Sequence, residues 1–64
     1  MQRLCIYAKD IEILTGRGSR YARDVIQDIK VLHKKEKHQL VTIREASDYL
    51  GLPYEDVIKV LNNY

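Results

Sequence analysis

The stretch from Thr42 to Leu61 leaves little freedom in how it can fold. Thr42 is a good N-cap, and Glu45 three residues on completes a Thr-x-x-Glu capping box. Ile43, Ala46 and Leu50 then recur at helical spacing on one face. Gly51 suits the left-handed conformation that ends a helix, because it has no Cβ to clash. Pro53 suits the first turn of a new helix, where its missing N–H is no loss. Val57, Ile58, Val60 and Leu61 give that helix an apolar side. Two short helices joined by a tight glycine-containing turn follow the order of a helix-turn-helix unit. The second helix nevertheless opens Pro53-Tyr54-Glu55-Asp56, and two carboxylates there would face phosphates.

The first half repeats the order with the opposite charge. Ile6-Tyr7-Ala8 leads into a short helix with Ala8, Ile11 and Leu14 on one side, ended by Gly16. Gly18-Ser19 sets an N-cap for a longer helix carrying Ala22, Val25, Ile26 and Ile29. Arg23-Asp24-Val25-Ile26 echoes Glu55-Asp56-Val57-Ile58, which reads as a weak internal duplication whose first copy has a turn three residues longer. Two copies are too few for a solenoid. Here the second helix is basic at its start, with Arg17, Arg20 and Arg23.

Charge divides along the same line. Residues 1–40 hold nine Lys or Arg against five Asp or Glu, a balance of +4; residues 41–64 hold two against four, a balance of −2. The pattern implies a basic working face beside an acidic part that packs or repels, although an ordinary solvated surface competes at counts this small. The middle helix carries two ridges. Ala22, Val25, Ile26, Ile29, Leu32 and His33 form a core stripe, and Arg20, Arg23, Gln27, Lys30 and Lys34 recur at the same steps on another face. Arg and Gln suit guanine and adenine edges, and Lys suits phosphate. A solvated helix can carry such a row too, so the helix-turn-helix order is what points it at a DNA groove. The cluster Lys34-Lys35-Glu36-Lys37-His38 ends the helix, where cations also favour the helix dipole.

The order Ile6-Tyr7-Ala8-Lys9-Asp10-Ile11, Leu14-Thr15-Gly16-Arg17, then Arg20-Tyr21-Ala22 resembles small bacterial helix-turn-helix proteins, of the excisionase-like and MerR-like kinds found on mobile elements. Lys35 to Gln39, followed by a second helix pair, is similar to a set of short bacterial proteins with a Lys-Glu-Lys-His-Gln stretch. The resemblance implies a sequence-specific DNA-binding regulatory or recombination-accessory protein acting on double-stranded DNA. It puts Ser19, Arg20, Tyr21 and Arg23 at the start of a recognition helix. Two departures stand out: the long turn Gly16-Arg17-Gly18-Ser19, and Glu12 where a small residue is usual, as Ser47 is in the second copy.

Tyr7, Tyr21, Tyr49, Tyr54 and Tyr64 supply all the aromatic content. Tyr7, Tyr21 and Tyr49 are expected to fill the core with their hydroxyls at its edge. Tyr54, beside Glu55 and Asp56, is expected with Ile58 to meet a partner, either a second copy or a larger DNA-bound protein. The alternative function is a protein-interaction module that docks through this acidic helix pair.

Catalysis finds little support, since no Ser-His-Asp or Cys-His set and no phosphate-cradling glycine loop is evident. No enzyme activity and no cofactor are therefore expected. Cys5 reads as a small buried hydrophobe, and Cys5, His33 and His38 lack the spacing of zinc ligands. No apolar run reaches membrane-span length, and Met1-Gln2-Arg3-Leu4 is unlike a signal peptide, so a cytoplasmic protein without membrane contact is expected.

Sixty-four residues make one domain, near the lower limit for a core without staples, with a first helix pair over 6–37 and a second over 41–64. The fold expected is all-α: a compact bundle of about four helices near 8–15, 19–36, 43–50 and 53–62. A short two-stranded ribbon is expected between Leu4-Cys5-Ile6 and Gln39-Leu40-Val41. The expected core is Ile6, Ile11, Leu14, Ala22, Val25, Ile26, Ile29, Leu32, Val41, Ala46, Leu50, Val57, Ile58 and Leu61.

Overall fold

A computed structural model of the chain describes residues 4–63; residues 1–3 and Tyr64 lie outside the described part. The order is β1 (Cys5–Ile6), α1 (Ala8–Thr15), α2 (Ser19–Leu32), β2 (Val41–Thr42), α3 (Ile43–Leu50) and α4 (Tyr54–Asn62). The chain is mainly helical with one short antiparallel ribbon, which pairs Cys5 with Thr42 and Ile6 with Val41. The Ile43 N–H extends the pairing by donating to the Leu4 carbonyl at 2.9 Å. Packing joins α1 to α2 and α3 to α4, and α2 to α3 and α1 to α4 across the two halves.

Local chemistry explains why the helices start and stop where they do. The Thr42 hydroxyl accepts the Glu45 N–H at 3.1 Å, and the Glu45 carboxylate accepts the Thr42 N–H at 2.9 Å, so the capping box forms in both directions. In the first half the Asp10 carboxylate accepts the Tyr7 N–H at 2.9 Å, which is half of that arrangement, and the Asp10 N–H donates to the Tyr7 carbonyl instead of to a side chain. Gly16 and Gly51 end α1 and α3 in the left-handed region, with φ of 71° and 73°. Pro53 is the N-cap of α4, which therefore begins at Tyr54, one place after the expected start, and the Pro53 carbonyl accepts from the Asp56 and Val57 N–H groups.

The two halves match more closely than the repeated Arg23–Ile26 and Glu55–Ile58 words imply. Both first helices have eight residues. Three residues, 16–18 and 51–53, separate the helices in each half, so the first turn is not longer. The offset between the two words arises inside the second helices, where the buried stripe extends one turn further along α2. Glu12 is half-buried in α1, whereas Ser47 in α3 is 1% exposed and its hydroxyl donates to the Ile43 carbonyl at 2.8 Å.

The core contains Ile6, Ile11, Ala22, Val25, Ile29, Val41, Ala46, Val57, Ile58 and Leu61 as expected, with Leu14, Ile26 and Leu50 half-buried against it. Ile43 joins it at 1% exposure, because the β2–α3 junction turns this residue inward where the ribbon meets the helix.

Leu32 is the clear exception, at 65% exposure, and His33 beside it is exposed as well. The helix expected to reach residue 36 ends at Leu32, one turn beyond the last buried residue, Ile29. Lys34 takes φ 55°, its N–H donates to the Val31 carbonyl, and the Lys35 N–H donates to the Lys30 carbonyl at 2.8 Å. This is a Schellman termination with lysine where glycine usually stands. Similarly, only Val41 and Thr42 form the second strand, and Gln39 and Leu40 are irregular.

Two substitutions test this packing. Val57, 2% exposed, becomes Ala at an expected cost of about 1–3 kcal/mol through lost burial and a residual cavity; an unchanged melting midpoint would contradict the packing of α4. Lys34→Gly removes the cost of a Cβ in the left-handed region and is expected to stabilise the fold by about 0.5–1 kcal/mol in urea melts.

Candidate nucleic-acid interface

The α2 row extends along one exposed side of the molecule. Arg20, Arg23 and Gln27 are exposed, as are Arg17 and Ser19 just before and at its start. Neither Arg20 nor Arg23 has a carboxylate partner among the described residues, and Arg20 makes no ion pair with Asp24 one turn along. The Arg17 guanidinium lies 4.4 Å from the centre of the Tyr21 ring, which holds it beside the first turn of α2. Tyr21 itself is half-buried against the core.

The N-terminus of α2 differs from that of α4 in a way that bears on anions. Gly18 is the N-cap and supplies no side-chain acceptor, and the first turn of α2 contains no acidic residue. The first turn of α4 holds Glu55 and Asp56. Free first-turn N–H groups and the helix dipole favour an anion at the first of these ends, and carboxylates already occupy that role at the second.

Further along, one of the expected phosphate ligands holds the chain in place. The Lys30 ammonium donates to the Lys37 carbonyl at 2.8 Å, which ties α2 to the loop that follows it. Lys34 is exposed but stands at the helix terminus rather than within it. Lys35 pairs with Glu45 at 3.2 Å, and His33 Nδ1 lies 3.7 Å from the same carboxylate oxygen. The basic cluster is therefore partly spent on fastening the first half to the α3 cap. Burial raises the Glu45 carboxyl towards neutrality, but the Thr42 N–H, Lys35 and His33 outweigh it and hold the group below its ordinary value.

Arg23, Gln27 and Lys30 also border an open groove whose other walls are Ile6, Tyr7, Ala8, Ile26, Leu40 and Val41. Tyr7 at 52% exposure and Leu40 at 51% stand over it. Tyr7 was expected in the core; as the N-cap of α1 it projects from the ribbon edge instead. Tyr49, also expected in the core, is 41% exposed, and its hydroxyl donates to Asp28 at 3.1 Å, joining α3 to α2. Asp28 pushes that hydroxyl above its usual pKa.

The expected partner contact at Tyr54 and Ile58 is altered by burial. Ile58 is 9% exposed, because it shares the inward stripe of α4 with Val57 and Leu61. Tyr54 is half-buried against the core, with the Arg44 guanidinium 4.2 Å from its ring centre. The exposed apolar residues of this end are Leu52 and Val60, which line a second groove with Leu14, Pro53, Asp56 and Val57.

Among the described residues no three His, Cys, Asp or Glu side chains converge as metal ligands, and no helix is long and apolar enough to cross a membrane. The chain matches no family model, no curated protein and no solved structure.

The Glu45 cluster generates a pH prediction. A carboxyl depressed in the folded state contributes stability that is fully present above its ordinary value of 4.5 and is lost as pH falls through the lower folded value. Chemical melts are expected to show stability falling below that pH. Glu45→Gln is expected to flatten this part of the profile and to remove about 1 kcal/mol or less at neutral pH. A profile identical to wild type would separate Glu45 from the acid transition.

Proposed function

We propose that this chain is a DNA-binding regulatory or recombination-accessory protein whose α2 enters the major groove as the second helix of a helix-turn-helix unit. The observation that carries the reading is the contrast between the two second helices. The first turn of α2 is free of carboxylates and flanked by exposed Arg17, Arg20 and Arg23, while the first turn of α4 holds Glu55 and Asp56. In this reading Arg20 and Arg23 meet base edges, with Gln27 one turn on. Ser19, Tyr21 and Arg17 lie beside the backbone at the open helix N-terminus, and Lys34 adds a phosphate contact at the far end. Lys30 supports the row from its tie to Lys37 and contributes mainly positive potential.

A single helix reads few base pairs, so the protein is proposed to act as a pair or beside a larger DNA-bound protein. The second reading, a protein-interaction module, is favoured by one observation: Leu52 and Val60 stand exposed beside Asp56 on the acidic half. It differs in predicting no salt-dependent binding to duplex DNA.

Titration against random and selected duplexes at two salt concentrations tests both. Arg20→Ala is expected to lose about 1–3 kcal/mol on the selected site and to relax preference at one base position. Lys34→Ala is expected to weaken all sequences alike and to lower the salt slope by about one. If both variants bind like wild type while Arg44→Ala or Lys59→Ala abolishes binding, the second helix pair is the reader.

A further inference from the structure

We propose that the ribbon groove of one copy of this chain receives the acidic face of α4 from another copy. The two surfaces are complementary in the properties that decide such a contact. The groove between α2 and the ribbon has an apolar floor, exposed Tyr7 and Leu40, and Arg23 and Lys30 at its border, with no carboxylate among the described residues that line it. The surface between α1 and α4 is also apolar, with Leu52 at 38% and Val60 at 37% exposure, and among the described residues its only charged lining residue is Asp56.

Charge decides how the copies meet. A two-fold contact of either surface with itself would set Arg23 against Arg23, or Asp56 against Asp56, at close range. Cross-pairing sets the Asp56 carboxylate against the Arg23 and Lys30 cations and covers exposed Tyr7, Leu40, Leu52 and Val60 from water. The contact is therefore between unlike patches, which either close as a reciprocal pair or continue as a chain. Arg23, Gln27 and Lys30 border the receiving groove, so an engaged copy has part of its α2 row covered. If that row binds DNA as proposed above, a copy whose groove is filled does not bind DNA through it, and pairing on DNA uses a different surface. Only this consequence rests on the DNA reading; the contact itself does not.

Sedimentation velocity without DNA tests the contact directly. The weight-average mass of wild type is expected to rise with concentration at about 0.05 M salt and to return towards monomer at about 0.5 M, where charges are screened within a few ångströms. Arg23→Glu and Asp56→Lys, both at exposed positions, are each expected to lower the association constant about tenfold or more. An equimolar mixture of the two is expected to associate again, because the intact acidic face of the first meets the intact groove of the second. Circular dichroism melts check that each variant is folded; if Asp56→Lys is not, Asp56→Asn takes its place in the mixture. A wild type that stays monomeric at every concentration in low salt overturns the proposal. So does Arg23→Glu associating like wild type, or a mixture that fails to regain association. Loss of DNA binding by Arg20→Ala bears on the α2 reading alone, so the two failures are distinguishable.

Discussion

Two rungs of antiparallel pairing, Cys5 with Thr42 and Ile6 with Val41, bring the starts of α1 and α3 side by side, and most of the molecule's arrangement follows from that. A ribbon this short does not hold on its own. It persists because Ile6 and Val41 are each 2% exposed, packed into the same cluster as Ile11, Ile29 and Ile43. The pairing and the core are thus one cooperative unit: the helices bury the ribbon's side chains, and the ribbon sets the register in which the two halves meet.

Carboxylates near that ribbon act on both halves. Asp10 and Glu45 accept the backbone N–H of the residue before α1 and the residue before α3, which directs each helix away from the strand it follows. Glu45 then uses its second oxygen for Lys35 and His33. The loop between the halves is held from both ends, by this cluster and by the Lys30 bond to Lys37. Some of the positive charge concentrated near residues 30–38 is consequently structural. The cations of α2 that have no partner among the described residues lie nearer its N-terminus, at Arg20 and Arg23.

The two halves share a plan but differ in what their second helices expose. In α2 the inward stripe is Ala22, Val25 and Ile29, and the outward side is cationic. In α4 the inward stripe is Val57, Ile58 and Leu61, and the first turn is anionic. One scaffold therefore presents a surface suited to phosphate and another that repels it. That division is the physical basis for proposing different partners for the two halves.

The sequence by itself determined the helices, their glycine terminations, the capping box and most of the core. These depend on contacts between residues a few places apart, which spacing and side-chain type encode directly. The basic row on α2 was legible for the same reason, since helical periodicity puts Arg20, Arg23 and Gln27 on one side whatever packs behind them. Only the tertiary structure decided the end of α2, where a left-handed Lys34 replaced the glycine that would have marked it. It also decided the roles of Lys30, Lys35 and Tyr49, whose partners Lys37, Glu45 and Asp28 are reached through folding of the chain rather than along a helix. The exposure of Tyr7 and of Leu32 belongs with these. Each depends on which face of an element meets the rest of the core, and a short helix with apolar residues on two sides does not carry that choice in its own sequence.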